Sequence, residues 1–244
     1  MDIKIYQVGG CVRDKILGIK SSDIDSVFVI TTDAKLTVDE GYKIMREHLI
    51  ANKFKIFLET PEMVTIRAKY PDDHVNKNMT ADFILARKEL SYDDTSRRPE
   101  FTIGSLYDDL LRRDFTVNAI AMDDDGKYID PFDGENDIRN KIIRCPKDPM
   151  KTMIDDPLRV IRGLRFHITK GFEIEEKTYQ AMLDKDVHKK LFNVVSNERI
   201  RGELTKMFKH NTSQSMRLLI KFDIDGFLDK IFSGDTWLMP TNRK

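Results

Sequence analysis

Two short clusters near the N-terminus combine residue types that bind phosphate and metal ions. Gly9 and Gly10 precede a segment with helical periodicity, and glycine lets backbone N–H groups approach an anion at a helix N-terminus. Asp23 and Asp25 follow at positions i and i+2 of a predicted strand, so their carboxylates point to one face and can share a hard cation such as Mg²⁺. Either cluster alone is common, since Gly-Gly usually marks a tight turn. Their spacing favours binding of a nucleoside triphosphate.

A third aspartate opens the apolar run at residues 81–88, which we predict to be a strand. A charge there is costly unless it is paired or bound to a metal, and we predict that Asp82 joins Asp23 and Asp25 as a third catalytic carboxylate. In two-metal nucleotidyl transfer, one metal activates the attacking 3′-hydroxyl while the other neutralises the triphosphate. The alternative is an aspartate at a strand edge that faces water.

Residues 111–119 place two arginines, an aspartate and an amide within a short segment. Arg113 can clamp phosphates bidentately, Asp114 can accept a hydrogen bond from a ribose hydroxyl, and Asn118 supplies the amide. The alternative is a purely structural Arg–Asp ion pair. Neighbouring apolar residues such as Phe115 indicate that the segment is half-buried, which favours the functional interpretation.

A later cluster has the chemistry needed to select a base. Asp156, Arg159 and Arg162 recur every three residues, hence along one face of a helix whose first turn suits Pro157. An aspartate accepts from the amino group of cytosine or adenine, while an arginine donates to the neighbouring ring nitrogen or carbonyl. Uracil and guanine are rejected because an unpaired buried acceptor costs about 1–3 kcal/mol. The alternative is an i,i+3 salt bridge at a surface.

Composition limits the class of protein. The chain has 244 residues, enough for one large or two modest domains, and two cysteines, too few for a disulfide framework or a zinc site. No run of about 18 apolar residues could span a membrane and the start lacks a signal-peptide pattern, so we expect a cytoplasmic protein with no membrane partner.

The two halves of the chain differ in charge. Residues 1–140 hold 20 Lys and Arg against 27 Asp and Glu, and residues 141–244 hold 21 against 14. The acidic half suits a metal site and the basic half suits RNA, although charge scattered over solvated helices is the alternative.

Hydrophobic periodicity predicts an α+β chain in which a mixed-sheet head is followed by helices. Thr37 and Glu40 form a capping-box pattern, and Asp125-Gly126 indicates a hairpin turn. We place the domain boundary between residues 143 and 144, which gives a catalytic head at 1–143 and a helical domain at 144–244. The predicted strands are 3–8, 25–30, 55–58, 64–69 and 81–88, and the predicted helices are 11–17, 37–51, 158–168, 174–183, 200–208 and 216–231.

In this order the motifs resemble those of the class II tRNA nucleotidyltransferase and bacterial poly(A) polymerase superfamily, whose best-known members are CCA-adding enzymes. The resemblance extends over roughly residues 3–235. The matching segments are residues 8–14, 23–25, 112–119, 130–134, 156–159 and 198–204.

The resemblance implies a polymerase-β-like nucleotidyltransferase head with a mixed sheet, followed by an all-α neck and a truncated body. It implies that Asp23 and Asp25 bind Mg²⁺, and that residues 88–104 form the family's flexible loop. The family's triphosphate ligands correspond to Gly10, Arg13 and Arg113, and its protein template for CTP and ATP corresponds to Asp156 and Arg159, completed by Arg162 and Arg165. One departure is Asp155-Asp156 where the family usually has Glu-Asp.

The implied activity is addition of C and A to the 3′ end of tRNA, with release of pyrophosphate. The same motifs also suit an enzyme that adds only A, only CC, or poly(A) to RNA. A transferase with a non-RNA acceptor and a non-catalytic RNA-binding relative are further alternatives, and the oligomeric state is left open.

Overall fold

The computed structural model describes residues 1–21, 23–91, 100–224, 226 and 228. The described residues divide into two compact units, one formed by residues 1–91 with 100–138 and the other by the described residues from 139 onward. The predicted domain boundary between residues 143 and 144 stays a prediction. None of the helices formed by the described residues is long and apolar enough to cross a membrane.

The first unit is built on a mixed β-sheet. Its strands are β1 (Asp2–Val8), β2 (Ile24–Thr31), β3 (Lys55–Thr60), β4 (Thr65–Lys69), β5 (Thr80–Leu85), β6 (Arg87–Ser91), β7 (Glu100–Ile103), β8 (Ala121–Met122) and β9 (Tyr128–Ile129). Seven of them form one sheet in the order β3-β4-β5-β2-β1-β8-β9, and β6 pairs with β7. β2 and β5 are parallel, whereas the other neighbouring pairs are antiparallel. The predicted α+β class with a mixed sheet is confirmed.

The central strand β2 is buried on both faces. Val27 and Val29 belong to a core cluster on one side, while Phe28 and Ile30 on the alternate face are also buried. Full burial of a side chain such as Phe28 contributes roughly 1.5–3 kcal/mol. This packing holds the start of β2, where Asp25 lies, at a fixed place in the unit.

The helices of this part of the chain are α1 (Gly10–Ile16), α2 (Val38–Ala51), α3 (Leu106–Leu111) and α4 (Gly134–Asn140). The predicted capping box of α2 is present: the Thr37 hydroxyl accepts from the Glu40 amide, and the Glu40 carboxylate accepts from the Thr37 amide at 2.8 Å. The predicted hairpin turn at Asp125-Gly126 is also present, since β8 and β9 pair on either side of it and Gly126 has φ 79°.

The single strand predicted at residues 81–88 is wrong. β5 ends at Leu85 and β6 begins at Arg87, because Ala86 belongs to neither pairing. Its amide donates to Phe28 O at 2.8 Å, and its carbonyl accepts from the Gly104 amide at 2.9 Å. The backbone therefore leaves the seven-stranded sheet at Ala86 and enters the separate β6–β7 ribbon.

The second unit is mainly helical. It contains β10 (Ile142–Ile143), β11 (Glu173–Ile174), α5 (Pro149–Asp155), α6 (Leu158–Lys170), α7 (Glu176–Met182), α8 (Lys185–Val194) and α9 (Asn197–Lys221). The two helices predicted at 200–208 and 216–231 correspond to the two parts of α9, which are separated by a kink at Asn211, where φ is −157° and ψ is 95°. The part of the second prediction beyond Ile224 lies almost wholly outside the described residues.

Candidate active site

Gly9 stands where two functional side chains meet. It connects β1 to α1 with φ 75° and ψ −134°, a backbone conformation that side chains other than hydrogen rarely allow. A β-carbon at Gly9 would lie 2.8 Å from Arg113 Nη1 and 3.6 Å from Asp25 Oδ2. The missing side chain therefore lets a guanidinium and a carboxylate approach the Gly9 backbone closely. Arg13 Nη2 lies 3.6 Å from the corresponding position of Gly10.

The sheet register brings Asp82 beside Asp25. The two residues are directly opposite each other in the parallel β2–β5 pair, so their side chains share one face of the sheet. Asp23 lies just before β2 and is exposed, whereas Asp25 is half-buried. Burial raises the pKa of Asp25, as do the charges of Asp82 and Asp23, while the guanidiniums of Arg113 and Arg67 oppose the rise.

Asp82 is held by an arginine that the sequence analysis did not single out. Arg67 on β4 donates from Nε to Oδ1 at 2.6 Å and from Nη2 to Oδ2 at 2.5 Å, a bidentate pair. No group of three or more His, Cys, Asp or Glu side chains suited to a metal occurs among the described residues. The metal-binding roles of Asp23, Asp25 and Asp82 stay predictions.

Arg113 is oriented by a buried carboxylate. Asp109 is fully buried, and its Oδ2 accepts from Arg113 Nε at 3.2 Å and Nη2 at 2.9 Å. Arg112 donates to Oδ1 from Nε at 3.0 Å and from Nη2. Burial by itself would raise the Asp109 pKa, but the guanidiniums of Arg112 and Arg113 outweigh it, and the pKa is lowered. Sequence reasoning missed Asp109, although its i,i+3 and i,i+4 spacing to the two arginines was a usable signal.

Arg13, Asn118 and Asp114 form a buried hydrogen-bonded chain. Arg13 Nη1 donates to Asn118 Oδ1 at 2.5 Å, and Asn118 Nδ2 donates to Asp114 Oδ1 at 2.9 Å. The same Asp114 oxygen accepts from the Phe115 amide at 2.8 Å. Within the segment predicted to be half-buried, residues 114–119 are buried, whereas residues 111–113 are half-buried. Asp114 thus supports the Arg13–Asn118 pair, and its contact with a ribose hydroxyl stays a prediction.

In the second unit, Asp156 does not lie on the helix face predicted for it. It is the C-cap of α5 with an extended backbone, and α6 begins at Leu158. Of the three residues predicted to share one helix face, only Arg159 and Arg162 therefore lie on α6. Asp156 Oδ1 accepts from the Leu158 amide, and Oδ2 is 3.2 Å from Arg199 Nη2 on α9. The described ion pair of Asp156 is therefore with Arg199, not the i,i+3 bridge given as the alternative.

The arginines of α6 have partners within the same unit. Buried Arg159 donates from Nη1 to Thr152 O at 3.0 Å. Arg165 Nε donates to Glu203 Oε2 at 2.5 Å, and Arg162 Nη1 lies 3.7 Å from Glu203 Oε1. Burial opposes ionisation of Glu203, but Arg165 and Arg162 outweigh it and its pKa is lowered. The nucleotide-binding roles of the three arginines stay predictions.

Comparison with known proteins identifies the family of this chain. A family model described as the poly A polymerase head domain matches residues 5–144. The chain belongs to the poly A polymerase head-domain family. A second model, described as a probable RNA and SrmB-binding site of polymerase A, matches residues 171–234 of this family member. The resemblance inferred from the motifs is confirmed.

This poly A polymerase head-domain protein is 38% identical over 204 residues to the CCA-adding enzyme of Staphylococcus saprophyticus, covering 83% of this chain and 45% of the relative. The Bacillus stearothermophilus CCA-adding enzyme in complex with CTP superposes with a TM-score of 0.72 at 28% identity, over 95% of this chain and 51% of that chain. A tRNA nucleotidyltransferase complexed with a primer tRNA and an incoming ATP analog gives 0.69 at 27% identity, over 96% and 61%. The chain spans about half the length of the curated relatives it matches.

The departure from the family motif at Asp155 has a structural counterpart in this family member. Lys147 Nζ donates to Asp155 Oδ2 at 2.6 Å, and the Asp155 side chain is only 9% exposed. The long lysine side chain reaches the shorter carboxylate, so Asp155 keeps a supporting ion pair next to Asp156.

Proposed function

We propose that this protein is a template-independent, Mg²⁺-dependent nucleotidyltransferase that adds C and A from CTP and ATP to the 3′ end of tRNA and releases pyrophosphate. The observation that carries the proposal is the convergence of Asp25 and Arg113 on Gly9. A carboxylate and an oriented guanidinium that meet at a glycine turn match the needs of a metal-bound triphosphate.

Asp23 and Asp25 are the proposed Mg²⁺ ligands. Carboxylate oxygens are the donors that this hard cation prefers, and Asp23 is exposed while Asp25 is half-buried. Asp82 lies next to Asp25 and adds a third negative charge to the site. When bound, Mg²⁺ activates the attacking hydroxyl and neutralises charge on the triphosphate.

The residues around Gly9 are proposed to hold the triphosphate. Gly9 and Gly10 allow close approach of phosphate oxygens to the backbone, and Arg113 donates to them from the guanidinium that Asp109 orients. Arg13 is fixed at the same turn by Asn118. The RNA 3′-hydroxyl oxygen then attacks the α-phosphorus, the bond from that phosphorus to pyrophosphate breaks, and the hydroxyl proton passes to solvent.

Base selection is proposed for Asp156 and Arg159, with Arg162 and Arg165 completing the nucleotide site. Thr152 and Glu203 hold these guanidiniums in defined positions, which favours discrimination by hydrogen-bond geometry. Asp156 is half-buried and fixed by Arg199, so its carboxylate can present an acceptor to the amino group of C or A.

An RNA acceptor is supported by the match of residues 171–234 to an RNA-binding family model and by the relatives whose structures contain primer tRNA or CTP. We extend those ligands to this chain as part of the proposal. A cytoplasmic location, the natural setting for tRNA repair, remains part of the same proposal.

The test is extension of defined RNAs with Mg²⁺ and each nucleoside triphosphate separately. Transcripts of tRNA that lack CCA should take up C from CTP, those ending in CC should take up A from ATP, and unrelated RNA should not be extended. Asp25→Asn should abolish incorporation, whereas Asp33→Asn, which removes an exposed aspartate beyond β2, should leave it unchanged. Extension by the Asp25 variant, or long A tails on unrelated RNA, would overturn the proposal.

A further inference from the structure

Three charged side chains form a row across neighbouring strands of the first unit. Arg67 on β4 is directly opposite Asp82 on β5, and Asp82 is directly opposite Asp25 on β2. Directly paired residues point to the same face of a sheet with β-carbons about 4.5–5.5 Å apart. In this row, Asp82 lies one strand away from the proposed metal ligand Asp25, and Arg67 lies one strand beyond Asp82.

The contact between Arg67 and Asp82 uses the whole open edge of the carboxylate. Nε and Nη2 of the guanidinium approach the two Asp82 oxygens separately, at 2.6 and 2.5 Å. A divalent cation that took Asp82 as a bidentate ligand would need the same edge. The Asp82 side chain is 22% exposed and the Arg67 side chain 45%, so solvent screens the pair in part.

Arg67 also acts on the neighbouring aspartates through its charge. Its guanidinium interacts electrostatically with Asp23 and Asp25 as well as with Asp82. Among the described residues, Arg113 also acts on Asp25, but its charge is shared with buried Asp109. Of these two arginines, Arg67 is the one whose described ion pair is with an aspartate next to Asp25.

We infer that Arg67 competes with a divalent cation for the Asp82 carboxylate beside Asp25, because its guanidinium already binds both oxygens of that carboxylate. The inference rests on the metal assignment in the proposed function. A fixed positive charge beside a cation site lowers its affinity for the cation, because like charges a few ångströms apart repel. The bidentate contact adds direct competition, because a cation that binds both Asp82 oxygens must displace the Arg67 guanidinium from them.

The experiment measures binding of Mn²⁺ alone by the loss of the free-ion electron paramagnetic resonance signal, without RNA or nucleotide. Arg67→Met keeps most of the side-chain stem and removes the charge, and it should lower the Mn²⁺ dissociation constant about tenfold. Arg46→Met is the matched control, because Arg46 is 47% exposed, close to the 45% of Arg67, and pairs with Glu59 instead. It should leave the dissociation constant unchanged.

Two further variants keep the test decisive. Arg67→Lys retains the charge without the bidentate fork and should fall between the wild type and Arg67→Met, which also covers a failure of Arg67→Met to fold. Asp82→Asn combined with Arg67→Met should show a smaller gain than Arg67→Met alone, because the shared carboxylate is gone.

The outcomes separate this inference from the proposed function. If the wild type binds Mn²⁺ in a way that Asp25→Asn abolishes, but Arg67→Met binds it equally or more weakly, the role of Arg67 is wrong and the metal assignment stands. If Asp25→Asn leaves Mn²⁺ binding unchanged, both are wrong. Tighter binding by Arg67→Met in a protein that extends no RNA would support the inference while overturning the proposed activity.

Discussion

Replacing Gly9 by alanine tests the central feature of the candidate site, because it adds one methyl group at the point where Asp25 and Arg113 meet. The first expected effect is on stability. At φ 75° and ψ −134°, Gly9 occupies a region in which an L-residue is strained, at a cost of roughly 1–3 kcal/mol. We expect a fall in melting temperature of about 2–4 °C for each kcal/mol.

The second expected effect of Gly9→Ala is on nucleotide binding. The new β-carbon would lie 2.8 Å from Arg113 Nη1, closer than non-bonded atoms approach, so the guanidinium has to move. A hydrogen bond to a charged group contributes about 1.5–3 kcal/mol. Loss of one such bond from Arg113 to the triphosphate should lower kcat/KM by about 10- to 150-fold at 1.4 kcal/mol per factor of ten.

Gly18 provides the control for backbone strain. It also has a positive φ, 71°, but a β-carbon there meets no atom within 4 Å. Gly18→Ala should therefore lose stability without losing activity, when both variants are compared by thermal unfolding and by steady-state incorporation of CTP. Equal kcat/KM values for the Gly9 and Gly18 variants at a temperature where both are folded would refute the assignment of Gly9 to the site.

Three other changes test the supporting contacts. Asp109→Asn leaves the guanidiniums of Arg112 and Arg113 without their buried counter-charge and should cost about 3–5 kcal/mol in urea unfolding at pH 7. The Asp109 pKa is lowered on folding, so its contribution is full above about 3.9, the unfolded value, and is lost as the pH falls through the folded pKa; the variant should lack this part of the acid transition. Asp156→Ala should relax discrimination against UTP and GTP in single-nucleotide incorporation, and unchanged selectivity would contradict a base-reading role. Lys147→Met should cost about 1 kcal/mol in urea unfolding by removing the partner of Asp155, and Lys151→Met, an exposed neighbour on α5, should cost nothing measurable.

Two features of the first unit could be predicted from residues close together in sequence. The capping box at Thr37 and the turn at Gly126 depend on residues within four positions of each other, and the structure contains both. Strand β5 was foreseen from its apolar run, but its end was not. Ala86 leaves the sheet because its backbone bonds to Phe28 and Gly104, and nothing within the run itself indicates those distant partners.

Most of the ion-pair partners of the candidate site residues could not be predicted from residues close to them in sequence. Arg67 and Asp82 are separated by 15 positions, and Arg165 and Glu203 by 38. Such pairs depend on sheet register and helix packing, which a single sequence does not determine. Asp109 is the exception, because its partners are three and four positions away on one helical turn and could have been paired by spacing alone.

These supporting contacts explain why a guanidinium suits position 113. Nε and Nη2 of Arg113 bind Asp109, and Nη1 of the same planar group lies toward Gly9. Because the guanidinium is planar and rigid, its contact with buried Asp109 also fixes the direction of Nη1 toward the place proposed for the triphosphate. Little side-chain freedom is therefore lost when phosphate binds. A lysine ammonium has one nitrogen and no such plane. The sequence motif thus specifies the group that faces the ligand, while the buried Asp109 specifies where it points.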